Sequence, residues 1–277
     1  MKHTIPNWVL LSGIILFNSF PLPGQFDQLA FQKLKSDRPE FSLISILAIH
    51  QDKDGFIWFG TDQGLYRYDG HGFKVYQENP LDPKSLPDNT IFVLKEDLDG
   101  NLWVGSQNAG IFKYASQKDE FTLYTRGDSP KGGLSDNQIT DILVSKDGEV
   151  WAGTRNGLNC WDKKRDKFFQ IDIQSENPNI RISNSIRQIE QDQKGRIWVG
   201  TGESGLGYLD PDTKKFVQLP FSTTPPDSTI YATISSLITD YNGDIWTSTE
   251  DGGLFRIKLE TGQIDFYQMW PPGDDAP

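Results

Sequence analysis

The residues of this 277-residue chain with chemistry to offer lie in short polar segments that recur after a Gly-Thr, Gly-Ser or, in the last copy, Ser-Thr pair. They are Asp62-Gln63, Gln107-Asn108-Ala109, Arg155-Asn156, Gly202-Glu203-Ser204 and Glu250-Asp251-Gly252. Variable polar side chains on a constant frame are where proteins place ligand contacts. Asn108, Arg155, Asn156, Glu203, Glu250 and Asp251 are therefore the candidate ligand-binding residues, with groups suited to sugar hydroxyls. Tyr231 and Trp270 are candidate stacking partners for sugar faces. The alternative is that these segments are ordinary solvated loops. Catalytic readings have less to stand on. A glycosidase needs two placed carboxylates, and no pair stands out among the 38 acidic residues. Cys160 is a lone cysteine, so no disulfide forms within the chain, and only His50 and His71 lie outside the N-terminal segment to serve as a base. No His or Cys pair has metal-ligand spacing, and no metal or cofactor is expected.

These segments hang on one repeated unit. Tryptophans 58, 103, 151, 198 and 246 are 45, 48, 47 and 48 residues apart, the mark of a repeat array. Twelve residues before each Trp stands Ile46, Ile91, Ile139, Ile186 or Ile234, opening a short β-branched strand. Three before it stands Gly55, Gly100, Gly148, Gly195 or Gly243, usually after Asp or Asn, marking a tight hairpin. Two after it stands Gly60, Gly105, Gly153 or Gly200, but Ser248 in the fifth copy. A third strand opens at Gly-Leu or Gly-Ile, and an aromatic fourth follows. Four antiparallel strands at this period make one blade of a β-propeller, whose sheets bury both faces only by radial stacking. The fold expected is all-β: blades at about 46–76, 91–124, 139–171, 186–219 and 234–268, within a domain spanning 25–277. An orphan strand near 30–34 suggests that the array belongs to a larger, seven-bladed propeller; a complete five-bladed ring with an extra strand is the alternative.

The N-terminus has a weakly basic start, an apolar run from Trp8 to Phe20 and a Pro21-Leu22-Pro23-Gly24 breaker, the layout of a secretory signal. Residues 1–24 are read as a signal peptide cleaved near Gly24-Gln25, giving a periplasmic or secreted protein with no later membrane span. A net charge of −11 argues against nucleic acid as a partner.

The run from Ile49 to Asp69, with Gln51-Asp52, Gly55, Trp58, Gly60-Thr61, Gly64-Leu65 and Arg67-Tyr68-Asp69, resembles the two-component regulator propeller repeat. The resemblance extends from about 31 to 268. It implies a non-enzymatic, periplasmic sensor module that detects glycan fragments and passes the signal to a histidine kinase, with further propeller blades or a sensor kinase as partners. This chain carries no kinase motif, so it reads as an N-terminal piece of such a sensor. A protein-interaction scaffold is the alternative, and a propeller glycosidase or lyase a more distant one. The sialidase-type Asp-box places a residue between Asp and Gly; here the two are adjacent, as in Asp147-Gly148. Asp52-Lys53-Asp54-Gly55 shares its start with calcium loops but lacks their closing glutamate, and a turn accounts for all five copies.

Overall fold

The computed structural model describes residues 43–82, 85–127, 133–174, 182–213, 215–219, 233–250 and 253–268. The proposed signal segment, the strand expected near 30–34, Tyr231, Asp251 and Trp270 lie outside them. Five four-stranded antiparallel sheets, each paired in simple chain order, account for the regular structure. The first strands are Ile46–Gln51, Ile91–Glu96, Ile139–Val144, Ile186–Gln191 and Ile234–Thr239. The second strands, Ile57–Thr61, Leu102–Ser106, Val150–Thr154, Ile197–Thr201 and Ile245–Thr249, carry the tryptophans. Third strands run Gly64–Tyr68, Ile111–Ala115, Gly157–Asp162, Leu206–Leu209 and Gly253–Ile257. The outer strands are Phe73–Tyr76, Glu120–Tyr124, Lys167–Ile171, Phe216–Gln218 and Ile264–Gln268. First strands of successive sheets lie against one another, so the sheets are propeller blades around a shared inner edge.

Each blade turns on a capped hairpin. Asp52 Oδ1 accepts the backbone N–H of Asp54 and Phe56, while Oδ2 accepts the indole N–H of Trp58 at 2.7 Å. Asp97, Asp192 and Asp240 repeat this, with indole contacts of 2.8, 2.8 and 2.9 Å from Trp103, Trp198 and Trp246. One carboxylate thus closes the turn and satisfies a donor that the core would otherwise strand. In blade three Ser145 takes the position; its Oγ accepts Glu149 N–H, and Trp151 turns its indole to Glu149 Oε2 at 3.3 Å. The turn glycines take φ of 80° to 88°, where a side chain would be strained.

Among the described residues the apolar core divides into four seams rather than one centre. Trp58, Leu65, Ile91, Leu94 and Phe112 join blades one and two. Trp103, Ile139, Ile142, Trp161 and Phe168 join two and three. Trp151, Ile186, Ile189 and Val199 join three and four; Trp198, Ile234, Leu237 and Phe255 join four and five. The outer edges of the first two seams are tied by polar groups. Asp119 accepts from Lys74, Tyr76 and Tyr114, and Asp166 accepts from Lys113 and Tyr124. Burial works to raise Asp119, but Lys74, Tyr114 and Tyr76 outweigh it and hold its pKa at about 2.

The glycine two residues after each Trp has a definite cause. A Cβ at Gly60, Gly105, Gly153 or Gly200 would stand 2.8, 2.7, 2.8 or 2.6 Å from Cγ2 of the next blade's isoleucine, Ile91, Ile139, Ile186 or Ile234. The expected result for Gly200→Ala is a loss of about 2 kcal/mol, because Ile234 is fully buried and cannot retreat. Ser248→Ala, at the same place in blade five, should be near neutral; guanidinium unfolding midpoints compare the two.

The end blades differ from the middle ones. Ile46 and Ile49 of blade one are 44% and 65% exposed, whereas their counterparts Ile91 and Leu94 are 0% and 5% exposed. Trp246 of blade five is half-buried, the other four indoles buried. Blade five therefore does not cover blade one, and the described residues do not form the closed five-bladed ring that the sequence left open.

Candidate functional site

The backbone builds the same corner in every blade. The residue four after each Trp donates its N–H to the carbonyl of the residue just before the first-strand isoleucine: Asp62 to Ser45, Gln107 to Thr90, Arg155 to Gln138, Gly202 to Ser185 and Glu250 to Thr233. A threonine or serine at the end of the second strand fixes the loop that follows. In blade one Thr61 Oγ1 donates to Gly64 O and accepts Gln63 N–H; Ser106, Thr154 and Thr201 repeat the arrangement. These hydroxyls are buried. The loop positions are thus held by strand geometry while their side chains remain free to vary.

Blades two to five, set side by side, leave a cavity of about 450 Å³ at the inner edge. Most of its lining comes from two positions of the repeat. Gln107, Arg155 and Glu250 come from the corner position, and Phe92, Thr140, Arg187 and Ser235 from the position just after each first-strand isoleucine. Gln138 and Gln188 add amides. Phe92 is 38% exposed and offers a ring face. Arg187 of blade four forms an ion pair with Glu250 of blade five across the seam.

Of the sequence candidates, the structure places Arg155 and Glu250 on the cavity. Asn108, Asn156 and Glu203 are exposed beside it, outside its lining. Asn108 is held by its N–H to Asp88 Oδ2 at 2.7 Å, and Asn156 by its N–H to Thr154 Oγ1 at 3.1 Å. Gln107, Arg187, Gln188 and Phe92 were not among the sequence candidates. The signal that finds Phe92 and Arg187 is the residue after the repeat isoleucine, which reads Leu47, Phe92, Thr140, Arg187 and Ser235; Gln107 is the corner residue of blade two, and Gln188 stands two after Ile186.

Deeper in the same inner edge, Asp141 ties blades three and four: its Oδ2 accepts Ile189 N–H at 2.8 Å and its Oδ1 accepts Ile142 N–H at 2.8 Å. Burial pushes its pKa up to about 6, against the pull of these N–H groups and Lys95. Burial also raises Glu190, whose Oε1 accepts Gln191 N–H. These are the carboxylates of the inner edge with raised proton affinity, and both are spent on backbone. Because Asp141 binds its proton more tightly folded than unfolded, protonation favours the fold, and that contribution disappears as pH rises through about 6. Lowering the pH from 7.5 to 5 should therefore raise stability by about 1 kcal/mol, a gain that Asp141→Asn removes. Urea midpoints at the two pH values measure it. Among the described residues no group of three or more His, Cys, Asp or Glu is placed to hold a metal. Cys160 is half-buried.

Frame and cavity together define the class: a β-propeller with a polar cavity on its inner edge. Residues 41–63, 85–108, 133–156 and 181–203 match the two-component regulator propeller model, each match covering the first two strands and the corner of one of blades one to four. The chain is a two-component regulator propeller repeat protein. Over 42 residues it is 50% identical to histidine kinase P4 of Formosa agariphila, a stretch covering 15% of this chain and 3% of that protein. The extracellular domain of a hybrid two-component system of B. thetaiotaomicron superposes with a TM-score of 0.66 at 25% identity, over 79% of this chain and 29% of that one. Virginiamycin B lyase of Staphylococcus aureus shares the fold at a TM-score of 0.60 and 14% identity, over 81% of this chain and 70% of that one. The chain thus spans a small part of the length of the signalling proteins it matches.

Proposed function

We propose that this chain is the ligand-binding propeller of an exported two-component sensor, working from the periplasm without catalysis and detecting oligosaccharide fragments in its inner-edge cavity. The observation that carries this reading is the cavity itself: amides from Gln107, Gln138 and Gln188, two guanidiniums and the ring of Phe92 converge on it from the variable positions of an otherwise repeated frame. Hydroxyl-rich ligands need many directional donors and acceptors with a flat apolar face, and this lining combines them. The family of the repeat and the extracellular two-component domain it superposes on support a signalling role. The lyase likeness stops at the fold, at 14% identity. Secretion through the N-terminal segment and a downstream kinase belong to the same reading.

Calorimetric titration with a panel of neutral and acidic oligosaccharides tests it. Binding of at least one member at a single site is expected, weakened at least about tenfold by Phe92→Ala or Gln188→Ala, as loss of one well-placed contact does. The saccharide recovered afterwards should be unchanged in mass; cleavage or elimination products would replace the sensor reading with an enzymatic one.

A second reading has its own observation. The exposed faces of blade one, at Ile46 and Ile49, and of blade five, at Trp246, are the surfaces that neighbouring blades cover inside the array. Further propeller blades of the parent sensor are the partners that fit them. If a protein partner is bound there and no saccharide binds anywhere, the chain is a scaffold.

A further inference from the structure

The two arginines of the cavity are not equivalent. Arg187 is neutralised by Glu250, with which it forms an ion pair. Arg155 lines the same cavity, is exposed, and has no ion-pair partner among the described residues. Its backbone is fixed by the N–H bond to Gln138 O at 3.2 Å, so the guanidinium is carried on a rigid corner and not on a wandering loop. The remaining lining is neutral: amides, Thr140, Ser235 and Phe92. The inner edge at this point therefore presents one uncompensated positive charge, in a chain whose net charge is −11.

That contrast selects for ligand charge. An acidic ligand approaching a protein of this sign is repelled almost everywhere and gains only where a cation stands unpaired. A guanidinium supplies a planar fork of donors that matches a carboxylate or sulfate with two parallel hydrogen bonds, which a neutral sugar cannot use fully. We propose that the ligand of this cavity is an acidic saccharide, a uronate-type oligosaccharide whose carboxylate is received by Arg155 while the amides of Gln107 and Gln138 take neighbouring hydroxyls. The proposal rests on the reading of the cavity as a saccharide site and adds the charge of the ligand and the residue that reads it.

The test uses pairs of probes that differ only in charge: a uronate trisaccharide and its methyl ester, alongside sulfated and neutral trisaccharides. Each is titrated calorimetrically into the full chain and into Arg155→Ala and Arg155→Lys, at low and high salt. Arg155 is exposed, so both variants should melt like the parent. Expected are binding of the free acid at least about tenfold tighter than of its ester, loss of that difference in Arg155→Ala, partial retention in Arg155→Lys, and weakening by salt of the acid alone. A neutral trisaccharide or the ester binding as well as any acidic probe would overturn the charge assignment and leave the saccharide site standing. An acid preference that survives Arg155→Ala would overturn the assignment to Arg155. No binding by any saccharide, charged or neutral, would remove the site reading itself and this inference with it.

Discussion

Trp103→Ala is expected to lower the unfolding free energy by about 4 kcal/mol, while Trp246→Ala costs about half as much or less. The two indoles hold the same place in their blades and differ in what covers them. Trp103 is fully buried, stacks on Tyr124 at 5.6 Å between ring centroids and meets Trp161 edge-on at 4.9 Å across the seam. Phe168 of blade three closes the cluster at 5.8 Å. Truncation removes one of the two indoles of that seam and leaves a hole that rigid sheets on either side cannot fill. Trp246 keeps its stack on Tyr267 and its bond to Asp240, but no blade among the described residues covers its outer face. Guanidinium unfolding, followed by circular dichroism, gives both numbers. Equal losses would mean that the indoles act within blades and that the seams contribute little.

The same contrast explains how much could be read from sequence. The frame was legible because it is written five times: Trp, turn glycine and first-strand isoleucine each recur at fixed offsets, and chance does not repeat an offset five times. Even so, one residue of that frame was under-read. Asp52, Asp97, Asp192 and Asp240 stand six before each Trp in plain view, but their role as simultaneous turn cap and indole acceptor depends on side-chain direction, which offset alone does not fix. Within the cavity, Arg155 and Glu250 were legible as corner residues of variable type. Arg187 and Phe92 were not, since alternation along a first strand does not say which face meets a neighbouring blade and which meets the axis. That assignment is made by stacking between sheets about 45 residues apart in the chain, a non-local fact. Ser248 shows the reverse case: its departure from glycine was visible, and its reason became visible only beside the isoleucines that press on its four counterparts.

Asp192→Ala should cost about 3 kcal/mol, well beyond the roughly 1 kcal/mol expected for Ser145→Ala at the same turn position in blade three. Asp192 is fully buried and makes four contacts. Oδ1 accepts Lys194 N–H at 2.8 Å and Arg196 N–H at 3.0 Å; Oδ2 accepts Arg196 Nε at 2.5 Å and Trp198 Nε1 at 2.8 Å. Removing the carboxylate strands a buried indole N–H and a partly buried guanidinium together, and the cost of unsatisfied donors exceeds that of a missing neutral bond. Ser145 offers a single hydroxyl to Glu149 N–H, and Trp151 has already moved its indole to the Glu149 side chain. Asp192→Asn separates charge from shape: it keeps one oxygen for the turn but presents an NH₂ to Arg196 and the indole, so its loss should fall between the two alanine variants. If Asp192→Ala and Ser145→Ala proved equally mild in urea, the capped turn would be a consequence of blade packing and not one of its causes. A double-mutant cycle of Asp192→Ala with Trp198→Phe then isolates the indole bond, and a coupling of about 1 kcal/mol or more is the expected value for a buried charge-assisted contact.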